Sequence, residues 1–376
     1  MPSKLKLSHR LLNYVADRLK KPRAPADPLH PRILVIRRNR MGDMIYTLPL
    51  LHTLRRHHPK AHIAVACDPA GMPIAQACAS LNEVIVLTPG WNPWQALLAN
   101  ASQLQDYDWV IAAKGGFDKR LALLVRLTNA PVRVGFKSKT GEKSVCFTDH
   151  VDLPPPGSDE HQIETLMRLL QPLGILQSTQ MTVDLSIKIP DESRELASRF
   201  LDANPSASNR RLLLINLSST SPLKFREEDF IALGSRILGS TELVIGLVGA
   251  PTDQQKAHEI AICMASRRIV AIETPNPLDL AALLEHATML LTPEGGAAHL
   301  AAAVNTPALV LWSEGPFEKW YSRGKNHSFI RADPGEKTIP VERVWQALQP
   351  FLPGKKQDDF EQQWADMMQL PPPDLT

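Results

Sequence analysis

The chain has 376 residues, with 42 Lys+Arg against 39 Asp+Glu and a formal charge of +3. That length exceeds one ordinary core and predicts about two domains. A hydrophobic fraction of 44% with 22% charged residues excludes a disordered chain, a collagen-like chain and a multi-span membrane protein.

Residues 7–21, LSHRLLNYVADRLKK, predict a basic amphipathic helix, with Leu7, Leu11, Val15 and Leu19 on one stripe and Arg10, Lys20 and Lys21 on the other side. No h-region or small-residue cleavage site marks a signal peptide. Two readings fit: a helix lying on an anionic membrane surface, or a terminal helix docked on the protein itself. Residues 1–40 hold eleven Lys/Arg against Asp17 and Asp27, a net +9 that leaves −6 on the remainder.

From residue 32 short apolar runs alternate with helical patterns. ILVIR (33–37) predicts a strand buried on both faces, followed by loop and helix over 41–59, a strand at 62–67 and a helix near 71–81. VIVL (84–87), a helix around 93–104, a strand within 108–115, a helix over 117–130 and VRVGF (132–136) continue the alternation. A loop at 151–161 precedes a helix at 161–175, and the helical pattern 191–204 leads into a polar stretch. The second set begins with LLLINLSS (212–219) and the helix 225–240, whose first turn is acidic. It runs on through 243–251, the helix 252–265 with Thr252 or Asp253 as its cap, 269–273, 276–287, 289–305 and 308–313, and ends with the helix 341–352. This order predicts two Rossmann-like, doubly wound α/β domains facing across a cleft, with ligands at the carboxyl ends of their strands. The boundaries read as a basic extension over 1–30, domains over 31–180 and 181–350, and a tail over 351–376.

Three loops carry candidate chemistry. RRNRMGD (37–43) follows the first strand; Gly42 permits a tight turn, and Asp43 is either a general base for an incoming hydroxyl or a helix cap. TPEGGAAH (292–299) joins a strand to an alanine-rich helix; Gly295 and Gly296 let backbone approach a diphosphate at the helix start, and Glu294 is placed to accept from sugar hydroxyls. The alternative there is a tight turn alone. SSTSPLK (218–224) offers the hydroxyls of Ser218, Ser219 and Thr220 to phosphate and Lys224 to charge on a leaving diphosphate. Arg40, Lys114, Lys119 and Arg120 are candidates for an anionic acceptor, or simply solvated charge.

Other chemistries lack their residues. GxGxxG, HExxH, GxSxG and P-loop patterns are absent, and no metal-ligand spacing occurs. Basic residues without interleaved aromatics do not support nucleic-acid binding. Cys67, Cys78, Cys146 and Cys263 form no CxxC pair, so a reducing cytosol is expected, and no apolar run nears the ~18 residues of a spanning helix.

Together the stretch ILVIRRNRMGDMIYTLPLLHTLRRHHPKAHIAV, the helix HQIETLMRLLQPLGI, the loop SSTSPLKFREEDF and TPEGGAAHLAAAVNTPALVLW resemble the family-9 glycosyltransferases, the lipopolysaccharide heptosyltransferase family. The resemblance runs over roughly 32–350. It implies a GT-B fold and inverting heptose transfer from an ADP-sugar, typically ADP-heptose, to a lipid A–core acceptor. It implies Asp43 as base, Ser219, Thr220 and Lys224 as the donor-phosphate loop, and Gly296 and His299 as part of the donor motif. The family's usual Asp-Thr is Glu294-Gly295 here. No cofactor beyond the ADP-sugar co-substrate is expected. The implied location is the cytoplasmic face of the inner membrane, with its anionic surface as a partner and no nucleic acid. Alternatives are a GT-B enzyme using another nucleotide-sugar, a nucleotide-sugar epimerase, and a non-catalytic assembly protein.

Overall fold

The computed structural model describes residues 30–38, 40–87, 99–100, 103–175, 183–208, 211–218, 225–313 and 315–353. The expected N-terminal helix, most of the stretch 93–104, Ser219, Thr220, Lys224 and the tail beyond 353 lie outside the described residues. The chain divides into two units, one running to Lys188 together with Glu318–Trp320, the other comprising Ile189–Phe317 and the residues from Tyr321 onward.

The first unit contains β1 (Arg32–Arg37), α1 (Met41–Ile45), α2 (Leu48–His57), β2 (His62–Cys67), α3 (Met72–Gln76), β3 (Glu83–Val86), β4 (Trp109–Ala112), α4 (Lys119–Leu127), β5 (Val132–Phe136), β6 (Asp149–Val151) and α5 (Gln162–Met167). Its six strands run in the order β3-β2-β1-β4-β5-β6. Every neighbouring pair is parallel; Ile33, for example, sits opposite Ile63 on one side and Trp109 on the other. The apolar runs explain the central strands. Ile33 to Ile36 are wholly buried, as a strand covered on both faces requires.

The second unit holds α6 (Asp191–Ala203), β7 (Leu212–Asn216), α7 (Glu227–Ser240), β8 (Val244–Val248), α8 (Gln254–Met264), β9 (Ile269–Ala271), α9 (Pro277–His286), β10 (Ala287–Pro293), α10 (Gly296–Ala303), β11 (Ala308–Trp312), α11 (Phe317–Trp320), β12 (His327–Arg331) and α12 (Val341–Leu348). Residues Glu318–Trp320 of α11 group with the first unit. The strand order is β12-β11-β10-β7-β8-β9, again all parallel. Its core gathers Leu213, Ile215, Leu233, Ile245, Leu247, Leu291 and Leu309 with Val344 and Leu348 of α12.

Each sheet therefore starts in its middle, winds outward one way, then restarts on the other side. The reversal falls between β1 and β4 in one unit and between β7 and β10 in the other. In open α/β sheets the crevice at such a switch point, outside the carboxyl ends, receives ligands.

The structure departs from the sequence reading at the margins. The helix expected near 71–81 is only Met72–Gln76, with Pro73 inside its first turn and Ala77 closing it. The edge strands β6 (DHV) and β12 (HSFIR) were not foreseen; each pairs on one side only, so neither needs an unbroken apolar run.

Candidate functional site

At the switch point of the first sheet, β1 ends in Arg37, whose side chain is only 3% exposed. Its guanidinium reaches two ways. Nη1 donates to the carbonyl of Ala113, just beyond β4, at 2.6 Å, and Nη2 donates to Oδ1 of Asp43. The backbone turns through Gly42 into α1, where Asp43 is the third residue. Its Oδ2 accepts the amide of Arg40 at 3.2 Å, while its carbonyl accepts the Thr47 hydroxyl at 2.9 Å. Asp43 is thus half of a helix cap and also one member of an ion pair; the two sequence readings do not compete. Burial pushes the Arg37 guanidinium below its ordinary pKa, and the adjacent Asp43 carboxylate opposes that. The Asp43 side chain keeps 20% exposure, so a solvent-borne hydroxyl has access.

Next along the carboxyl edge, Lys114 follows β4 and pairs with Asp118 at 2.5 Å. Asp118 also caps α4, accepting the amide of Leu121 at 2.9 Å. Burial would raise its pKa, but Lys114 and the amides of Leu121 and Arg120 outweigh that and hold it below the usual carboxylate value. Lys119 is half-buried and Arg120 exposed, as is Arg40. Gly115 lies flat against Gln162, where a Cβ would come within 1.9 Å of Nε2. One turn past Asp43, the Tyr46 hydroxyl donates to the carbonyl of Trp320, with ring centroids 5.8 Å apart. The ring of His161 meets Tyr46 edge-on at 5.4 Å. His161 itself caps α5, its Nδ1 accepting the amide of Ile163 at 3.2 Å.

The switch point of the second sheet is built from neutral groups. Asn216 at the end of β7 donates to the hydroxyl of Thr292 on β10 at 2.9 Å. The hydroxyl of Ser218, a candidate phosphate contact, donates to Oδ2 of Asp253 and accepts the amide of Ala250 at 2.6 Å. That bond also explains why Asp253, at the cap position of α8, makes no side-chain cap bond. Beyond β10, Oε1 of Glu294 accepts the Ser313 hydroxyl from the end of β11. Gly295 takes φ 147° and ψ −163°, a region open essentially to glycine. A threonine there would be strained, so Gly295 fits this backbone. Gly296 opens α10, and His299 is buried on it.

Arg37 was missed in reading the sequence, where it counted only as charge. The available signal was an arginine ending a strand otherwise apolar throughout. Asn216 and Thr292 gave no signal, because their partnership spans 76 residues. Among the described residues, no cluster of His, Cys, Asp or Glu is placed to hold a metal ion, and no helix is long and apolar enough to cross a membrane.

Comparison with known proteins adds the family context. A family model described as glycosyltransferase family 9 (heptosyltransferase) matches residues 96–344. Lipopolysaccharide heptosyltransferase 3 of Escherichia coli K12 is 23% identical over 337 residues, covering 83% of this chain and 95% of that protein. Among solved structures, a glycosyl transferase of family 9 from Veillonella parvula superposes with a TM-score of 0.72 at 19% identity, covering 87% of this chain and 99% of that one. An E. coli heptosyltransferase with ADP-2-deoxy-2-fluoro heptose gives 0.66 at 22% identity, covering 85% and 99%.

Proposed function

The chain belongs to glycosyltransferase family 9, the heptosyltransferase family, and from that premise we propose that it transfers a heptose from ADP-heptose to a lipopolysaccharide core acceptor, with inversion at the anomeric carbon. It is a glycosyltransferase with two doubly wound sheets of the GT-B class. The E. coli relative bears the name lipopolysaccharide heptosyltransferase, and a structure of the same fold holds an ADP-heptose analogue, which supports the donor and acceptor classes. The observation that carries the reading in this chain is the Asp43 carboxylate, held by Arg37 and the Arg40 amide at the β1–β4 switch point.

In the scheme, Asp43 takes the proton of the acceptor hydroxyl as that oxygen bonds to the anomeric carbon. The bond from that carbon to the diphosphate breaks on the opposite face, and ADP leaves with the electron pair. Lys224, with the hydroxyls of Ser219 and Thr220, takes up the charge developing on the diphosphate, helped by the start of α10 at Gly295 and Gly296. No metal enters this scheme. The basic extension over residues 1–30, seven Lys/Arg against Asp17 and Asp27, supports a hold on an anionic membrane surface, at about 1 kcal/mol per basic residue near it. The site of action is then the cytoplasmic face of the inner membrane.

The experiment is transfer from a panel of ADP-, UDP- and GDP-sugars to lipopolysaccharide core lacking terminal heptose, read by product mass and anomeric configuration. Heptose addition from ADP-heptose alone, with inverted configuration, is the expected result. Turnover of a nucleotide-sugar with no acceptor present, beyond slow hydrolysis, points instead to an epimerase. Deleting residues 1–24 is expected to reduce binding to anionic liposomes and to spare transfer to a delipidated acceptor.

A further inference from the structure

We infer that Arg37 is a positioning residue for the Asp43 carboxylate, bridging it to the Ala113 carbonyl across the β1–β4 switch point. This inference rests on the reading of Asp43 as the base and extends it to a second residue.

The physical case starts from what Arg37 costs. Residues Ile33 to Ile36 of the same strand are apolar and buried, so an apolar residue at position 37 would serve the sheet. A buried ion pair is weak evidence for stability, since desolvating both charges offsets their attraction, and apolar replacements are often neutral. Nε of Arg37 is moreover buried with no hydrogen-bond partner among the described residues, a further penalty. Stability therefore does not account for this arginine.

Geometry does. The guanidinium is a rigid planar fork. One arm is fixed to Ala113 at 2.6 Å on the neighbouring strand, so the other arm is aimed by the sheet itself. It binds Oδ1 of Asp43, and the Arg40 amide binds Oδ2, which fixes the carboxylate plane from both sides. Each oxygen has a second lone pair, so both remain able to take a proton. Arg37 stays protonated throughout; the hydroxyl proton goes to Asp43, and no proton passes to the guanidinium.

Other groups near this turn have their own engagements. Arg38 pairs with Asp68 at 3.3 Å, His161 caps α5, and the Tyr46 hydroxyl donates to Trp320, which lies two residues from Glu318. Arg37 is the cation the structure bonds to the Asp43 carboxylate, so its removal leaves Oδ1 without the arm that aims it.

The test uses the full-length enzyme with ADP-heptose and the core acceptor. Arg37→Met is expected to lower kcat about ten- to a hundredfold, the scale of a slightly misplaced catalytic group, with donor KM nearly unchanged. Arg37→Lys keeps the charge but loses the fork, and should recover only part of kcat. In an Asp43→Asn background, Arg37→Met should cause no further loss. An inactive Asp43→Asn together with an Arg37→Met enzyme of unchanged kcat overturns the role of Arg37 and leaves the base standing. Wild-type activity in Asp43→Asn overturns the base, and the role of Arg37 with it. If Arg37→Met fails to fold by circular dichroism, Arg37→Lys decides alone: reduced kcat at constant donor KM supports the role, and wild-type kcat overturns it.

Discussion

The two sheets share a strand order yet close their switch points with different chemistry. Between β1 and β4 the link is charged: Arg37 ties the Ala113 carbonyl to the Asp43 carboxylate. Between β7 and β10 it is neutral: the Asn216 amide meets the Thr292 hydroxyl. A charged link orients a carboxylate, which is what the proposed proton abstraction needs. A neutral link adds no charge of its own, and the acids of that edge, Asp253 and Glu294, are each held by a serine hydroxyl. The same topology thus presents an oriented carboxylate on one sheet and a hydrogen-bonding rim on the other.

Asp43→Ala is expected to break the first switch point most severely, lowering transfer by about a thousandfold or more, within the range for a general base. ADP affinity, measured by calorimetry, should stay near that of the unaltered enzyme, because the proposed donor loops belong to the second unit and are untouched. Loss of ADP binding would contradict the division of labour between the sheets.

The second largest effect concerns acid stability in the second unit. His327 lies on β12, its Nδ1 2.6 Å from the Ser322 hydroxyl and its Nε2 3.2 Å from the Thr306 carbonyl. Burial pushes its pKa down to about 4, with the Thr306 carbonyl opposing. The unfolded chain protonates this histidine more readily than the folded one. Stability is therefore full above about pH 6.5 and declines as pH falls toward about 4, by roughly 3 kcal/mol. Urea titrations across that interval should show the slope, and His327→Gln should flatten it.

Smaller changes separate the two links further. Asn216→Ala removes the donor to Thr292 and the acceptor for the Ser218 amide, and should cost about 1–3 kcal/mol in denaturant unfolding. Its effect on kcat should be far below that of Arg37→Met; an equal effect would erase the distinction between charged and neutral links. Asp118→Ala should cost about 1 kcal/mol through the lost cap of α4. Lys114→Ala should cost less, because the pair is partly exposed and solvent screens it.

Much of this was legible in the sequence because it is local. Apolar runs such as ILVIR and LLLIN can only be strands buried on both faces, and their alternation with helical patterns fixes the doubly wound class. Gly42, followed by Asp43, marked the turn into α1. Gly295 marked another, and its φ of 147° shows why glycine is needed there. The edge strands β6 (DHV) and β12 (HSFIR) were not legible because they carry no apolar run, unlike the opposite edges β3 (EVIV) and β9 (IVA).

What the sequence by itself determined is the strands other than β6 and β12, the turns at their carboxyl ends and the presence of Asp43 on one of them. The tertiary structure alone decided how those ends are joined. Arg37 meets Ala113 across 76 residues, Asn216 meets Thr292 across 76, and Ser218 meets Asp253 across 35. The physical reason is that a parallel strand pair is closed by a long crossover, so the groups that share a switch point are distant in the chain. Periodicity and spacing report which side of a strand is apolar; only the strand order β2-β1-β4 and its counterpart β8-β7-β10 bring an arginine to a backbone carbonyl in one sheet and an amide to a hydroxyl in the other.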